Sequence, residues 1–200
     1  MSETFSESDL EPSADERARA RASVVDRVAA TVGALSAGLV AGGLIALGAC
    51  AAPAVFALTP APFSGNAMGA AFARFDKVAI AASCVALGAE VARTFLTRRE
   101  RPRLIGRLRR FSAIFLAGAT TYMASTLSPA INDLHAQGAR RGEGELGARL
   151  EEVHKRAETV GKVEVVLAVL LVGLHIFTIR SFHLEPEEDV PAPLPPGPRG

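Results

Sequence analysis

The chain has 200 residues, of which 49% are apolar and 22% charged, with a formal charge of +1 and a mean hydropathy of +0.25. That length suits one domain or one small bundle, and the mixture implies very apolar segments set between strongly charged ones, which excludes an ordinary soluble domain. Only two cysteines occur, Cys50 and Cys84, both in apolar stretches, so no disulfide framework is implied.

Residues 1–27 are polar, acidic early (Glu3, Glu7, Asp9, Glu11, Asp15, Glu16) and then basic (Arg17, Arg19, Arg21). A cleaved signal would place an apolar core directly after a short basic start, so this segment reads instead as a disordered cytoplasmic tail. From Val28 to Ala73 no Asp, Glu, Lys, Arg or His appears. A small soluble domain cannot bury such a stretch, whereas a membrane span needs only about 20 apolar residues. Four spans are expected, at about 28–52, 72–96, 111–132 and 162–180. The first ends at Pro53, with Pro60 and Pro62 shaping the turn that follows. The fold class expected is all-α, an integral membrane four-helix bundle with its membrane domain over residues 28–182.

Arg93, Arg98, Arg99, Arg101, Arg103, Arg107, Arg109 and Arg110 crowd the connection between spans two and three. Short basic loops stay cytoplasmic, which places both termini in the cytoplasm as well. The connection from Asp133 to Gly161 then lies on the far side. Within it Leu146, Leu150, Val153, Ala157 and Val160 recur at helical spacing. One long helix from about Glu145 to Phe182 is expected, its first turns projecting from the bilayer to pack on a partner surface. Residues 183–200 are Pro-rich and read as disordered.

An internal repeat is visible. Ala41-Gly42 falls on Ala117-Gly118 and Pro53-Ala54 on Pro129-Ala130 when span one is laid over span three. Aligning spans two and four sets Lys77 on Lys162, Gly88 on Gly173 and Glu90 on His175. The order helix, proline, loop, lysine, helix therefore recurs, as it would in two parallel helix pairs related by an axis along the membrane normal.

The candidate site residues are Glu90, His175, Glu164, His154, Lys77 and Lys162. Lys77 to Arg93 and Lys162 to Arg180 span roughly 24 and 27 Å at the helical rise. That is close to the hydrocarbon thickness, so these basic residues read first as interfacial anchors. Glu90 stands one turn from Arg93, and a local helix pair accounts for it. Alternatively Glu90 and His175, equivalent under the repeat, form a proton- or ion-responsive pair between the halves, since ionisable groups inside a membrane are candidates for function. Glu164 and His175 return to nearly the same helix face, so they either line a polar seam or leave Glu164 interfacial beside Lys162. Only His175 lies within a span, which leaves no second histidine for a bis-histidine haem. Cys50 and Cys84 could offer soft ligands to copper(I), but they lack ligand spacing and read as packing residues. Gly38 and Gly42 permit close helix approach and a homo-oligomer.

Ala52-Pro-Ala-Val-Phe56 closing a glycine-rich span, Met68-Gly-Ala-Ala-Phe-Ala-Arg-Phe-Asp-Lys-Val78, Leu127-Ser-Pro-Ala-Ile131 and Val153-His-Lys155 carry a family resemblance. Together they resemble the bacterial branch of the transmembrane-protein-205-like family, a domain of unknown function, over roughly Ala30 to Phe182. The resemblance implies a four-span bundle in a bacterial cytoplasmic (inner) membrane and marks His154 as a family-like position. Here Ala157 and Glu158 follow His154, where that family is expected to carry a small hydroxyl residue. It supplies no activity. The expectation is a non-enzymatic membrane protein that moves or senses a small solute or ion. The alternatives are a partner-binding scaffold and, more weakly, metal or haem handling. No cofactor and no nucleic-acid partner are expected; the lipid bilayer is the partner.

Overall fold

The computed structural model describes residues 13–60, 63–96 and 104–179, and it is all-helical over them. The expected disorder of 1–12 and 183–200, Arg180 and the arginines at 98, 99, 101 and 103 lie outside the described residues.

The described residues form four helical rods. The first is α1 (Ala14–Ile45), continued by a π turn (Ala46–Ala51) into α2 (Ala52–Leu58). The second is α3 (Phe63–Leu96). The third is α4 (Leu104–Tyr122), a π turn (Met123–Leu127) and α5 (Ser128–Ala136), and the fourth is α6 (Gly144–Phe177).

The observed boundaries correct the expected ones in three places. Residues 14–27 are helical rather than disordered. They are rich in Ala and Arg, which both favour helix, and Asp26 is tied to a neighbouring rod. The first span does not stop at Pro53. A proline has no N–H to give and its ring presses on the carbonyl four residues back, and a π turn just before it reroutes those carbonyls so the rod continues. The same device precedes Pro129, and each proline opens the helix after its π turn. The two π turns end at Ala51 and Leu127, in the register that sets Pro53 on Pro129. Finally, α3 starts at Phe63 and α4 at Leu104, both ahead of the expected spans.

The rods form a ring: the first packs against α3 and α6, and α4 closes the square against the same two helices. Small residues dominate the contact. Ala37, Val40, Ala41, Ala79, Ala82, Ala86, Ala113, Leu116, Ala168 and Leu171 form the core, and Gly43 leaves the space that the Phe75 ring fills. Leu35, Leu39, Val85, Ile114, Phe115, Val166 and Phe177 face outward. Small residues between helices and large apolar ones outside suit a lipid surround, where packing rather than water exclusion joins helices.

Among the described residues, three helices are long and apolar enough to cross a membrane: Ala20–Leu58, Phe63–Phe95 and Gly144–Phe177. The third rod is not among them, because it carries Ser112, Thr120, Thr121, Ser125 and Ser128 as well as arginines in its first turns. Its hydroxyls turn back on the helix, as in Thr121 Oγ1 to the Ala117 carbonyl at 2.7 Å and Ser125 Oγ to that of Thr121 at 2.7 Å.

Helix α6 has 34 residues, roughly 51 Å at the helical rise, against about 30 Å of hydrocarbon. The excess is its charged first half. Part of the apolar stripe expected to meet a partner packs internally: Leu150 is buried with Leu134 and Ala139, and Val153 and Ile131 pack beside them, while Leu146 is exposed. Gly138, Gly142 and Gly144, at φ of 79°, 80° and 62°, make the turn that brings α6 back against α5.

Leu116 is fully enclosed, whereas Val166 is 65% exposed. Leu116→Ala should destabilise the bundle by about 2 to 5 kcal/mol and Val166→Ala by less than about 0.5. Unfolding in detergent micelles measures the difference.

Candidate functional site: a buried charge network and a polar ladder

Each rod delivers a polar side chain to one end of the interior. Helix α1 brings Asp26, α3 brings Glu90 and Arg93, α4 brings Arg109, and α6 brings His175 with its cap residue Thr178. Glu90, Arg93, Arg109 and His175 are all buried.

Arg93 is the hub. Its Nε lies 2.8 Å from Asp26 Oδ1 and its Nη2 3.2 Å from Oδ2, a fork-to-fork pair. Nη1 donates to His175 Nδ1 at 3.1 Å, while Nη2 donates to the Thr178 carbonyl at 3.1 Å. The guanidinium thus also satisfies the end of α6. Arg109 donates from Nη1 to Thr178 Oγ1 at 2.6 Å, and its Nε stands 2.6 Å from Glu90 Oε1. That last contact is off the hydrogen-bond line and acts as an ion pair.

These neighbours fix the tautomer of His175. A guanidinium only donates, so Nδ1 must accept, which leaves the ring proton on Nε2, 3.5 Å from Glu90 Oε1. With the imidazole neutral, two arginines balance two carboxylates. A second proton would place an N–H on Nδ1 against the Arg93 guanidinium. The ring fits here because position 33 is glycine; a Cβ there would overlap it.

The polar face continues along the interior. On α3, Glu90, Ser83 and Asp76 recur every seven residues and share one face. Ser83 Oγ meets Thr120 Oγ1 of α4 at 2.8 Å. Asp76 stands beside the Ser128 hydroxyl of α5 and lies within electrostatic reach of Glu164 on α6. Beyond them, the His135 and His154 rings meet edge to face with centroids 6.0 Å apart.

Residues 35–140 match a family described as a domain of unknown function, DUF4149. The chain belongs to that family. No curated protein and no solved structure matches it. The DUF4149 match takes in the third rod and ends before α6, so His175 and Glu164 lie beyond it while Glu90, Arg93, Arg109 and Asp76 fall inside.

In this DUF4149 chain the structure brings Glu90 and His175 together and buries Glu164, at 1% exposure, on the same interior face. Lys77 and Lys162 are exposed, and Lys162 donates to Glu158 at 2.7 Å. Two expectations are overturned. Arg93 is not an interfacial anchor but 2% exposed, and Glu90 finds its ion pair on α4 at Arg109. Gly38 approaches Val172 of α6, and Gly42 has nothing within 4 Å of where a Cβ would stand. Cys50 and Cys84 are both exposed.

Sequence reasoning missed Asp26, Arg109, Asp76 and Thr178. Arg109 was hidden in a run of arginines and Asp76 beside Lys77. The repeat offered the one signal for Thr178, since the register that sets Glu90 on His175 also sets Arg93 on Thr178.

Two outcomes follow. Arg109→Ala strands a buried carboxylate and should cost about 3 to 5 kcal/mol, whereas Arg109→Ala with Glu90→Ala should recover part of that loss. Denaturant unfolding in micelles reads both. At the charged extension, burial, then Arg141 and His135, hold His154 below the ordinary histidine value. The folded chain therefore binds fewer protons there than the unfolded chain, and acidification below about pH 6.5 should loosen the 137–157 region. Limited proteolysis should rise as pH falls in the wild type and rise less in His154→Gln.

Proposed function

We propose that this chain is a four-span, non-enzymatic membrane protein that moves or senses a small ion, with proton uptake at His175 as its control step. The observation that carries the reading is the charge-compensated network of Asp26, Glu90, Arg93, Arg109 and His175, buried between all four rods. A structural clamp needs only opposite charges. This one also contains a protonatable ring whose two nitrogens are held in opposite roles by an arginine and a glutamate. Protonation turns Nδ1 from acceptor into donor, sets it against Arg93 and frees the C-terminal end of α6. The ladder of Ser83, Thr120, Asp76 and Glu164 supplies polar steps from that end along the interior.

The arginine-rich connection argues for a cytoplasmic location of this end and of both termini. The motifs that resemble the transmembrane-protein-205-like family support a bacterial cytoplasmic membrane as the setting. A scaffold without transport is the second reading, favoured by the pairing of Arg93 with Asp26 and of Arg109 with Glu90. Leu150 and Val153 pack within the chain, while Leu146 of the same stripe stays exposed.

Proteoliposomes with a pH gradient separate the two. The transport reading expects ion flux that depends on pH and falls about tenfold, the equivalent of ~1.4 kcal/mol of barrier, in Glu90→Gln and His175→Ala. Flux equal to that of empty vesicles for every ion tried would leave the scaffold.

A further inference from the structure

We infer that Asp76 and Glu164, with the Ser128 hydroxyl, form a binding site for one small monovalent cation, either a sodium-type ion or a proton shared by the two carboxyls. The two acids stand on facing helices, α3 and α6, at 8% and 1% exposure. The Asp76 charge reaches Glu164, and the Ser128 hydroxyl stands beside Asp76. One oxygen of each carboxyl, Asp76 Oδ2 and Glu164 Oε1, is fully buried and accepts no hydrogen bond among the described residues.

The contrast with the other end of the ladder points to a ligand. There each carboxylate meets a guanidinium. Here the basic neighbours turn away: Arg74 and Lys77 are exposed, and the Lys162 ammonium is engaged by Glu158. The first rod brings no charge to this level, because residues 28–73 contain none. The third rod brings Ser128, and on the same helix His135, whose ring lies against His154. Two carboxyls facing each other in a low-dielectric interior require a compensating positive charge.

The donor set defines its class. Carboxylate and hydroxyl oxygens are hard ligands, which suit alkali cations and protons rather than soft metals. Calcium takes six to eight oxygens and magnesium a near-ideal octahedron, more than two carboxyls and a hydroxyl on helix walls can supply. Asp76 stands two heptads from Glu90, roughly 21 Å along α3. The cation site and the His175 network therefore occupy opposite ends of one polar face. The inference rests on the proposed function only for its use in transport; binding is measured without flux.

The test is thermal unfolding of the full chain in micelles, with sodium chloride exchanged for choline chloride at constant ionic strength, and separately across a pH series. A midpoint that rises with sodium identifies an alkali cation. One that rises only on acidification identifies the shared proton. Asp76→Asn and Glu164→Gln are expected to lose the wild-type response, and without sodium at alkaline pH each should be at least as stable as the wild type. Ser128→Ala retains both carboxyls and should weaken the response severalfold, which keeps the test decisive if a neutralised variant does not fold. A wild type unresponsive in both arms, or variants that respond as it does, would overturn the site. Binding without flux removes the transport reading and keeps the site, and flux with no midpoint response does the reverse.

Discussion

Two guanidinium groups taken out of water between four helices constrain everything else in this molecule. Each needs a carboxylate and further acceptors at fixed distance, since a buried unpaired charge costs several kcal/mol. Arg93 obtains Asp26 from α1, His175 and Thr178 from α6, and so fixes the register of three rods at once. Arg109 fixes the fourth through Glu90 and Thr178. Asp26 must then be held in a helix, which is why α1 reaches back into a segment that reads as a polar tail. Gly33 must remain small, because the His175 ring occupies its side-chain space.

The two ends of the interior follow opposite electrostatic rules. At one end positive and negative groups balance, and the uncommitted chemistry is the second proton of an imidazole. At the other end two carboxyls face each other, with their lysine and arginine neighbours turned outward. Hydroxyls at Ser83 and Thr120 lie between them along the heptad face of α3. The matching π turns before Pro53 and Pro129 show that rods one and three carry the same irregularity at equivalent places. Glu90 with His175, and Arg93 with Thr178, are likewise equivalent positions in rods two and four. They meet in one network although their chemistry differs.

The helical class, the four rods and the long fourth helix were legible, because apolar runs and the 3.6-residue period depend on local composition. The π turns were not, since a proline inside an apolar run signals a stop as readily as a rerouted helix. The interior site was half legible. Glu90 and His175 stood out as charges inside apolar stretches, and the repeat linked them. Arg93 was misread and Asp76 missed because a charge near a span boundary has the same sequence signature whether it snorkels outward or turns in. Only the packing of the rods decides between these. Asp26 gave no signal at all, as its partner is 67 positions away.

The central claim is that the network acts as one coupled unit across helices, and a double-mutant cycle on Glu90→Gln and Arg109→Gln tests it most directly. Unfolding free energies of the wild type, both single variants and the double variant should give a coupling of about 1 to 3 kcal/mol, with the double variant losing clearly less than the two singles together. Additive losses would contradict the account, for then the two side chains would stand at one end of the bundle without acting on each other.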